Sequence, residues 1–176
     1  MRIIVLLCGV LLINIAAFSQ VMITSEVVAM KLPDGTKTLT DDDYESFIGK
    51  TFKLPPSGSY ENFYKKGNMI FRYKTGMVSA SPQYKQTIEQ ILAQDVSQRE
   101  KLLKQTVTDS KISVYNNIRF ANVEYNSDGC YYIHFISDHN KQHEYVAGEI
   151  LFKKKDEAAA REYLNSVLKS FSFPGN

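Results

Sequence analysis

The chain has no tryptophan, and only two of its 176 residues are cysteine and three histidine. Two cysteines cannot build the disulfide framework of a small exported scaffold, so stability must come from a packed core. One of them, Cys8, falls in the apolar opening of the chain, which leaves Cys130 without an intrachain partner. An excess of one charge is missing too: 21 basic residues stand against 19 acidic ones, a formal net charge of +2. That balance excludes the basic surface of a nucleic-acid-binding domain and argues against a strongly acidic partner. The short motifs that announce chemistry are also absent. There is no phosphate-binding loop, paired-glycine fingerprint, serine nucleophile elbow or His-Glu-x-x-His element. No catalysis, no cofactor and no metal are expected.

What is present begins with a leader. Met1 and Arg2 form a short basic start, residues 3–18 are almost wholly apolar, and Ala17 and Ser19 supply small residues at −3 and −1 of a cut. This is the pattern of a secretory signal peptide, with cleavage expected after Ser19. The apolar run is shorter than the roughly 20 residues of a spanning helix, so no stable membrane insertion is expected after cleavage. Leu7 precedes Cys8 where a lipobox needs a small residue, so lipidation is not expected either. The reading is a periplasmic or secreted protein with a signal peptide (1–19), an N-terminal extension holding a strand pair and a short helix (20–49), and one α/β domain (50–176).

The domain is organised around residues 111–173. Strands are expected at 111–115, 118–125, 130–137 and 143–153, separated by turn-forming residues: Asn116-Asn117, then Asn126 to Gly129, then Asp138 to Gln142. Each connector tolerates positive φ or closes an Asx turn, and each is too short for a crossover, so the strands must form an antiparallel meander. A helix follows, capped at Asp156, whose Tyr163, Leu164, Val167, Leu168 and Phe171 make one apolar stripe at helical spacing.

Earlier in the chain, 26–32 and 36–39 read as a hairpin about Pro33-Asp34-Gly35. Thr40 or Asp41 caps a short helix that turns Tyr44, Phe47 and Ile48 inward and ends at Gly49. The three consecutive aspartates suit a helix N-terminus and match no calcium loop. Residues 51–54 read as a strand stopped by Pro55-Pro56. Residues 60–64 and 69–73 read as a second hairpin. Ser81-Pro82 opens a helix that runs to Gln105 through Tyr84, Ile88, Ile91, Leu92, Val96, Leu102 and Leu103, with a capping box at Ser97 and Glu100 where it would break.

Three constellations invite a functional reading. Cys130 and His134 share a strand face, but four residues of rise put them roughly 13 Å apart, so they form no dyad; a buried thiol is the simpler reading. A zinc site would draw on His134, His139, His143 and Asp138, yet the turn that carries two of these is polar and irregular, and a solvated turn explains it. The second hairpin alternates aromatic and basic residues, and Tyr60, Phe63, Tyr64, Lys65, Lys66 and Arg72 are the candidate binding residues. The competing reading is an edge hairpin with aromatics inside and lysines blunting the edge.

The ending Gly148-Glu149-Ile150-Leu151-Phe152, a polar helix start and then Tyr163 through Phe173 resembles the close of PsbP-like domains, including the DcrB and LpqN groups. Thr51-Phe52-Lys53-Leu54-Pro55 is similar to their opening strand and proline. The resemblance spans about residues 50–173. It implies an α+β fold, an antiparallel sheet with helices packed on both faces, used for binding rather than catalysis. The function expected is a non-enzymatic binding module that recognises a protein partner in the cell envelope, in its sharpest form an immunity protein that neutralises a toxin. The alternative is a carrier of a small ligand or lipid, with its pocket between helix and sheet.

Overall fold

The turns decide the topology. Asn116 and Asn117 have φ of 51° and 62°, and Asp128 and Gly129 have φ of 52° and 71°. Two successive left-handed residues make the tight hairpin turn whose twist matches that of its strands. The computed structural model describes residues 20–55, 60, 62–78 and 86–174; the leader at 1–19 lies outside them. In chain order the strands are β1 (Met22–Thr24), β2 (Ala29–Lys31), β3 (Lys37–Thr38), β4 (Asn62–Lys66), β5 (Met69–Met77), β6 (Thr106–Tyr115), β7 (Ile118–Ser127), β8 (Cys130–Ser137) and β9 (Glu144–Phe152). The helices are α1 (Asp41–Phe47), α2 (Ile88–Ser97) and α3 (Glu157–Ser170).

β6 to β9 form the expected meander, and β5 pairs with β9 to extend it. The result is a seven-stranded antiparallel sheet in the order β3-β4-β5-β9-β8-β7-β6. Because strand residues alternate faces, each face has its own composition. On one, α3 seats Tyr163, Leu164, Val167 and Leu168 against Phe71, Phe120, Phe135 and Ile150. Gly148 permits the close approach of Phe135 here, since a Cβ would stand 2.6 Å from that ring and 2.7 Å from the Arg72 carbonyl oxygen. On the other face, α1 packs Tyr44 and Ile48 over Phe63, Ile70, Tyr125 and Leu151. α2 lies farther along that face, against β6 and β7. The fold is thus α+β, with helices on both faces of an antiparallel sheet.

Four local expectations give way to tertiary packing. Residues 26–32 and 36–39 do not pair with each other. β2 pairs with β1, and β3 with β4, because Ser25 closes the first turn, its hydroxyl accepting from Val28 N at 3.0 Å. Pro33-Asp34-Gly35 does turn, with Thr36 N donating to Pro33 O at 3.2 Å. It carries the chain from beside α3 to the sheet edge. Gly49 does not end the first helix, and 51–54 is not a strand: a π-helical turn runs through Ile48–Phe52 and stops at Lys53, φ 62°. Helical spacing places Tyr44, Ile48 and Phe52 on one buried stripe, which outweighs the local glycine signal.

In the second long helix, the start at Ser81-Pro82 lies outside the described residues. α2 is capped at Thr87, whose side chain accepts from Gln90 N while the Gln90 side chain accepts from Thr87 N. Ser97 forms no capping box. The helix continues past it as a π-helical turn, Gln98–Leu102, which keeps Arg99 turned inward toward Asp95 at 3.0 Å.

The 20–49 segment packs onto the rest. Met30 and Leu32 are buried with the α3 core, and Ala29 and Ser172 exchange two backbone hydrogen bonds of 2.9 Å.

Candidate functional site: a cleft beneath α2

The register of four strands places one row of side chains across the sheet. Phe63 faces Arg72, Arg72 faces Glu149, and Glu149 faces His134. Three of these four are charged or ionisable and lie on the face covered by α1 and α2. A buried ion cannot be left unpaired, so the row needs partners, and it has them. Arg72 Nε donates to Glu149 Oε1 at 2.9 Å, with a second bond from its Nη2 to the same oxygen, and its Nη1 donates to the Tyr44 hydroxyl. Tyr125 donates to Glu149 Oε2 at 3.1 Å. The guanidinium of Arg72 also stands 4.5 Å from the centre of the Tyr60 ring.

α2 contributes the next link. Asp95 and Arg99 are one helical turn apart, so both reach the same side. Arg99 Nε stands 3.0 Å from Asp95 Oδ1, and its guanidinium lies 3.8 Å over the Tyr125 ring. Asp95 Oδ2 is 2.8 Å from His134 Nδ1. At its other end α2 is held by the ion pair of Glu89 with Arg119 on β7. The chain of contacts therefore runs from Tyr44 under α1 to His134 under α2.

Electrostatics follow from burial and these pairings. Burial pushes the Asp95 carboxyl up, but His134 and Arg99 outweigh it and hold the group below its ordinary value. Burial weakens the hold of Arg72 on its proton, and the Glu149 carboxylate more than offsets this. The Tyr60 and Tyr125 hydroxyls are raised well above the ordinary phenol, first by burial and then by the Glu149 charge, so both stay neutral donors.

Beside this network the sheet and α2 part to leave a cleft of about 460 Å³. Its sheet wall carries Lys74, His134, Ile136, Tyr145 and Ala147, its helix wall Ile91, Gln94, Asp95 and Arg99, and Tyr60 closes one end. The Tyr145 ring lies flat over Gly76, where a Cβ would stand 2.6 Å from it; glycine is what admits this wall. The helix wall is loose because α2 buries Ile88 and only half-buries Ile91 and Leu92.

The sequence-derived binding residues do not share one surface. Phe63 is buried, stacked on Tyr44 with ring centres 4.0 Å apart. Tyr64 points to the opposite face, into the α3 core with Phe71 and Tyr73. Lys65 lies 3.9 Å over the Phe47 ring, and Lys66 reaches toward Tyr163 on the far side. Only Tyr60 and, through the network, Arg72 reach the cleft. Cys130 is wholly buried, its sulfur near the Phe52 carbonyl oxygen at 3.7 Å. His139 and His143 converge, with ring centres 5.7 Å apart, yet His134 is engaged with Asp95 instead. Among the described residues no group of three or more His, Cys, Asp or Glu side chains could hold a metal ion. Asp95 and His134 orient an imidazole as acid–base dyads do, but no hydroxyl or thiol is hydrogen-bonded to that imidazole among the described residues.

No family model and no curated protein matches the sequence. Among solved structures, that of cyanobacterial PsbP (CyanoP) from Synechocystis sp. PCC 6803 aligns with a TM-score of 0.60 at 8% identity, over 94% of this chain and 96% of its own. A Pseudomonas aeruginosa protein of unknown function aligns with a TM-score of 0.40 at 7% identity, over 86% and 94%. At such identities the likeness is one of fold. The chain has a PsbP-like fold.

Proposed function

We propose that this PsbP-like module is an exported, non-enzymatic binding protein that takes a ligand in the cleft beneath α2. The cleft itself carries the reading: about 460 Å³ lies within the roughly 300–1,000 Å³ typical of small-molecule sites, and its lining mixes apolar side chains with convergent polar ones. The β4–β5 hairpin is the weaker candidate, because its aromatic side chains are used in the two cores. Export rests on the leader pattern of residues 1–19. Among the described residues no helix is long and apolar enough to cross a membrane.

One observation favours a second reading, recognition of another envelope protein. Met77, Leu102 and Leu103 are 74%, 75% and 53% exposed, and two of them edge the cleft. Adjacent exposed apolar side chains suit a protein contact, of which a toxin neutralised by this chain would be one case. Native mass spectrometry of the protein purified from its own envelope tests both. The expected result is a small-molecule adduct that Ile91→Trp, filling the cleft from the helix side, removes. A stoichiometric protein lost on Met77→Asp would put the second reading first. A bare chain in every preparation would count against both.

A further inference from the structure

The cleft has an uneven charge. Two cationic side chains line it, Lys74 and Arg99, against the single carboxylate of Asp95. That carboxylate is engaged on both oxygens, by Arg99 at 3.0 Å and His134 at 2.8 Å. Arg99 cannot turn away easily, since its guanidinium is also stacked 3.8 Å over Tyr125. The next carboxylate along the sheet, Glu149, is held by Arg72 and Tyr125.

Lys74 is different. It stands on β5 opposite Ala147 of β9. Its ammonium lies 5.8 Å from the centre of the Tyr60 ring, and no carboxylate pairs with it among the described residues. An ammonium at the side of a partly enclosed apolar cleft, already lying toward a ring face, is poised for an anion. Apolar side chains are available beside it, Ile136 and Ala147 on the sheet and Ile91 on the helix, interspersed with the polar Gln94, Gln98 and Ser137. Tyr145, seated on Gly76, forms the far wall.

We propose that the cleft binds an amphipathic monocarboxylate, with its anionic head on Lys74 and its apolar body along Ile91, Ile136 and Ala147. This rests on the cleft being the binding site. One cation without a carboxylate partner among the described residues suits a single negative charge; a phosphate dianion would need Arg99, which Asp95 holds. A neutral apolar molecule would fill the walls and leave Lys74 as it is, so charge selectivity is what distinguishes the proposal.

The absence of tryptophan makes a reporter simple. Leu103→Trp places the only indole of the chain at the half-exposed rim of the cleft. Met22→Trp places one on β1, exposed on the α3 side. Each variant is titrated with decanoate, decanol and decyltrimethylammonium below their micelle concentrations. Decanoate is expected to shift the emission of the Leu103→Trp protein and to bind about tenfold tighter than decanol, the increment of a charged hydrogen bond in a partly exposed site. Adding Lys74→Met, which keeps the aliphatic stem, should bring acid and alcohol within about twofold of each other. The Met22→Trp protein should stay silent throughout. Equal binding of acid and alcohol, a preference for the cation, or indifference to Lys74→Met overturns the carboxylate proposal and leaves the cleft as a site. No response to any of the three probes overturns the cleft reading as well.

Discussion

Both faces of the sheet hold an apolar core, and they differ in the charge buried beside it. Beneath α3 the contact is dry and largely aromatic: Phe71 and Phe135 stack in parallel with ring centres 6.1 Å apart, and Phe120 meets Phe171 edge-on at 5.3 Å. Beneath α1 and α2 the same strands present Arg72, Glu149, His134 and Tyr125, joined by hydrogen bonds to Tyr44 and Asp95. Burying apolar area stabilises without regard to direction, so α3 closes over Phe71, Phe120, Phe135 and Ile150 and leaves only a gap of about 150 Å³ toward β6. Burying charge helps only where every partner is aligned, and the alignment that satisfies Arg72 and Asp95 holds α2 at the β6–β7 side of the sheet. The cleft is the space that this constraint leaves open. Both faces therefore contribute apolar burial, and the α2 side alone carries the candidate site.

Four experiments would break or sharpen that contrast. The largest effect is expected on the dry face. Phe135→Ala, at a fully buried ring, should cost about 3–5 kcal/mol of unfolding free energy in urea titration; a loss under about 1 kcal/mol would mean the α3 face is not the main source of stability. Next comes the charged row. Glu149→Ala leaves the Arg72 guanidinium, itself 10% exposed in its side chain, without its carboxylate and should cost about 3 kcal/mol, whereas Arg72→Met with Glu149→Leu should recover most of the loss. Failure of the double variant to recover would show the pair to be better than an apolar filling.

A smaller effect is expected at Asp95, and it carries a pH signature. Its carboxyl is depressed in the folded protein, so the stability it contributes is present above the unfolded value near pH 4 and is lost as pH falls through the lower folded value. Asp95→Asn should cost about 1–2 kcal/mol at pH 7, and the difference from the parent should shrink on acidification below about pH 4. A gap that stayed constant to low pH would mean that Asp95 acts by shape alone. The smallest effect belongs to the cap of α2: Thr87→Ala removes an exposed capping box and should cost about 1 kcal/mol by thermal denaturation.

The parts of the fold legible in advance are those written in short stretches of chain. Asn116-Asn117 and Asp128-Gly129 demand positive φ wherever they stand, and strand alternation with a 3.6-residue stripe between Tyr163 and Phe171 needs no distant partner to be recognised. The readings that failed lay where a short signal met a stronger tertiary demand. Gly49 looked like a helix stop until Phe52 had a core to enter, and Pro33-Asp34-Gly35 looked like a hairpin until β4 offered β3 its edge. Aromatic and basic residues at 60–74 were visible as a cluster, but strand alternation divides them between two faces. Of that cluster, Tyr60 and Lys74 line the cleft.

Sequence alone therefore determined the meander, its closing helix and the buried thiol of Cys130, because each follows from local geometry or from composition; the PsbP-like plan came as a resemblance carried by residues 50–173. The site was decided only in three dimensions. Arg72 and Glu149 are 77 residues apart and Asp95 and His134 are 39 apart, distances over which no periodicity carries information. Which carboxylate satisfies which cation, and hence which side chains line the cleft, depends on strand register and on where α2 comes to rest. The physical reason is that turn and helix preferences act within a few residues, whereas the pairing of buried charge is settled by which distant groups the packed core brings together.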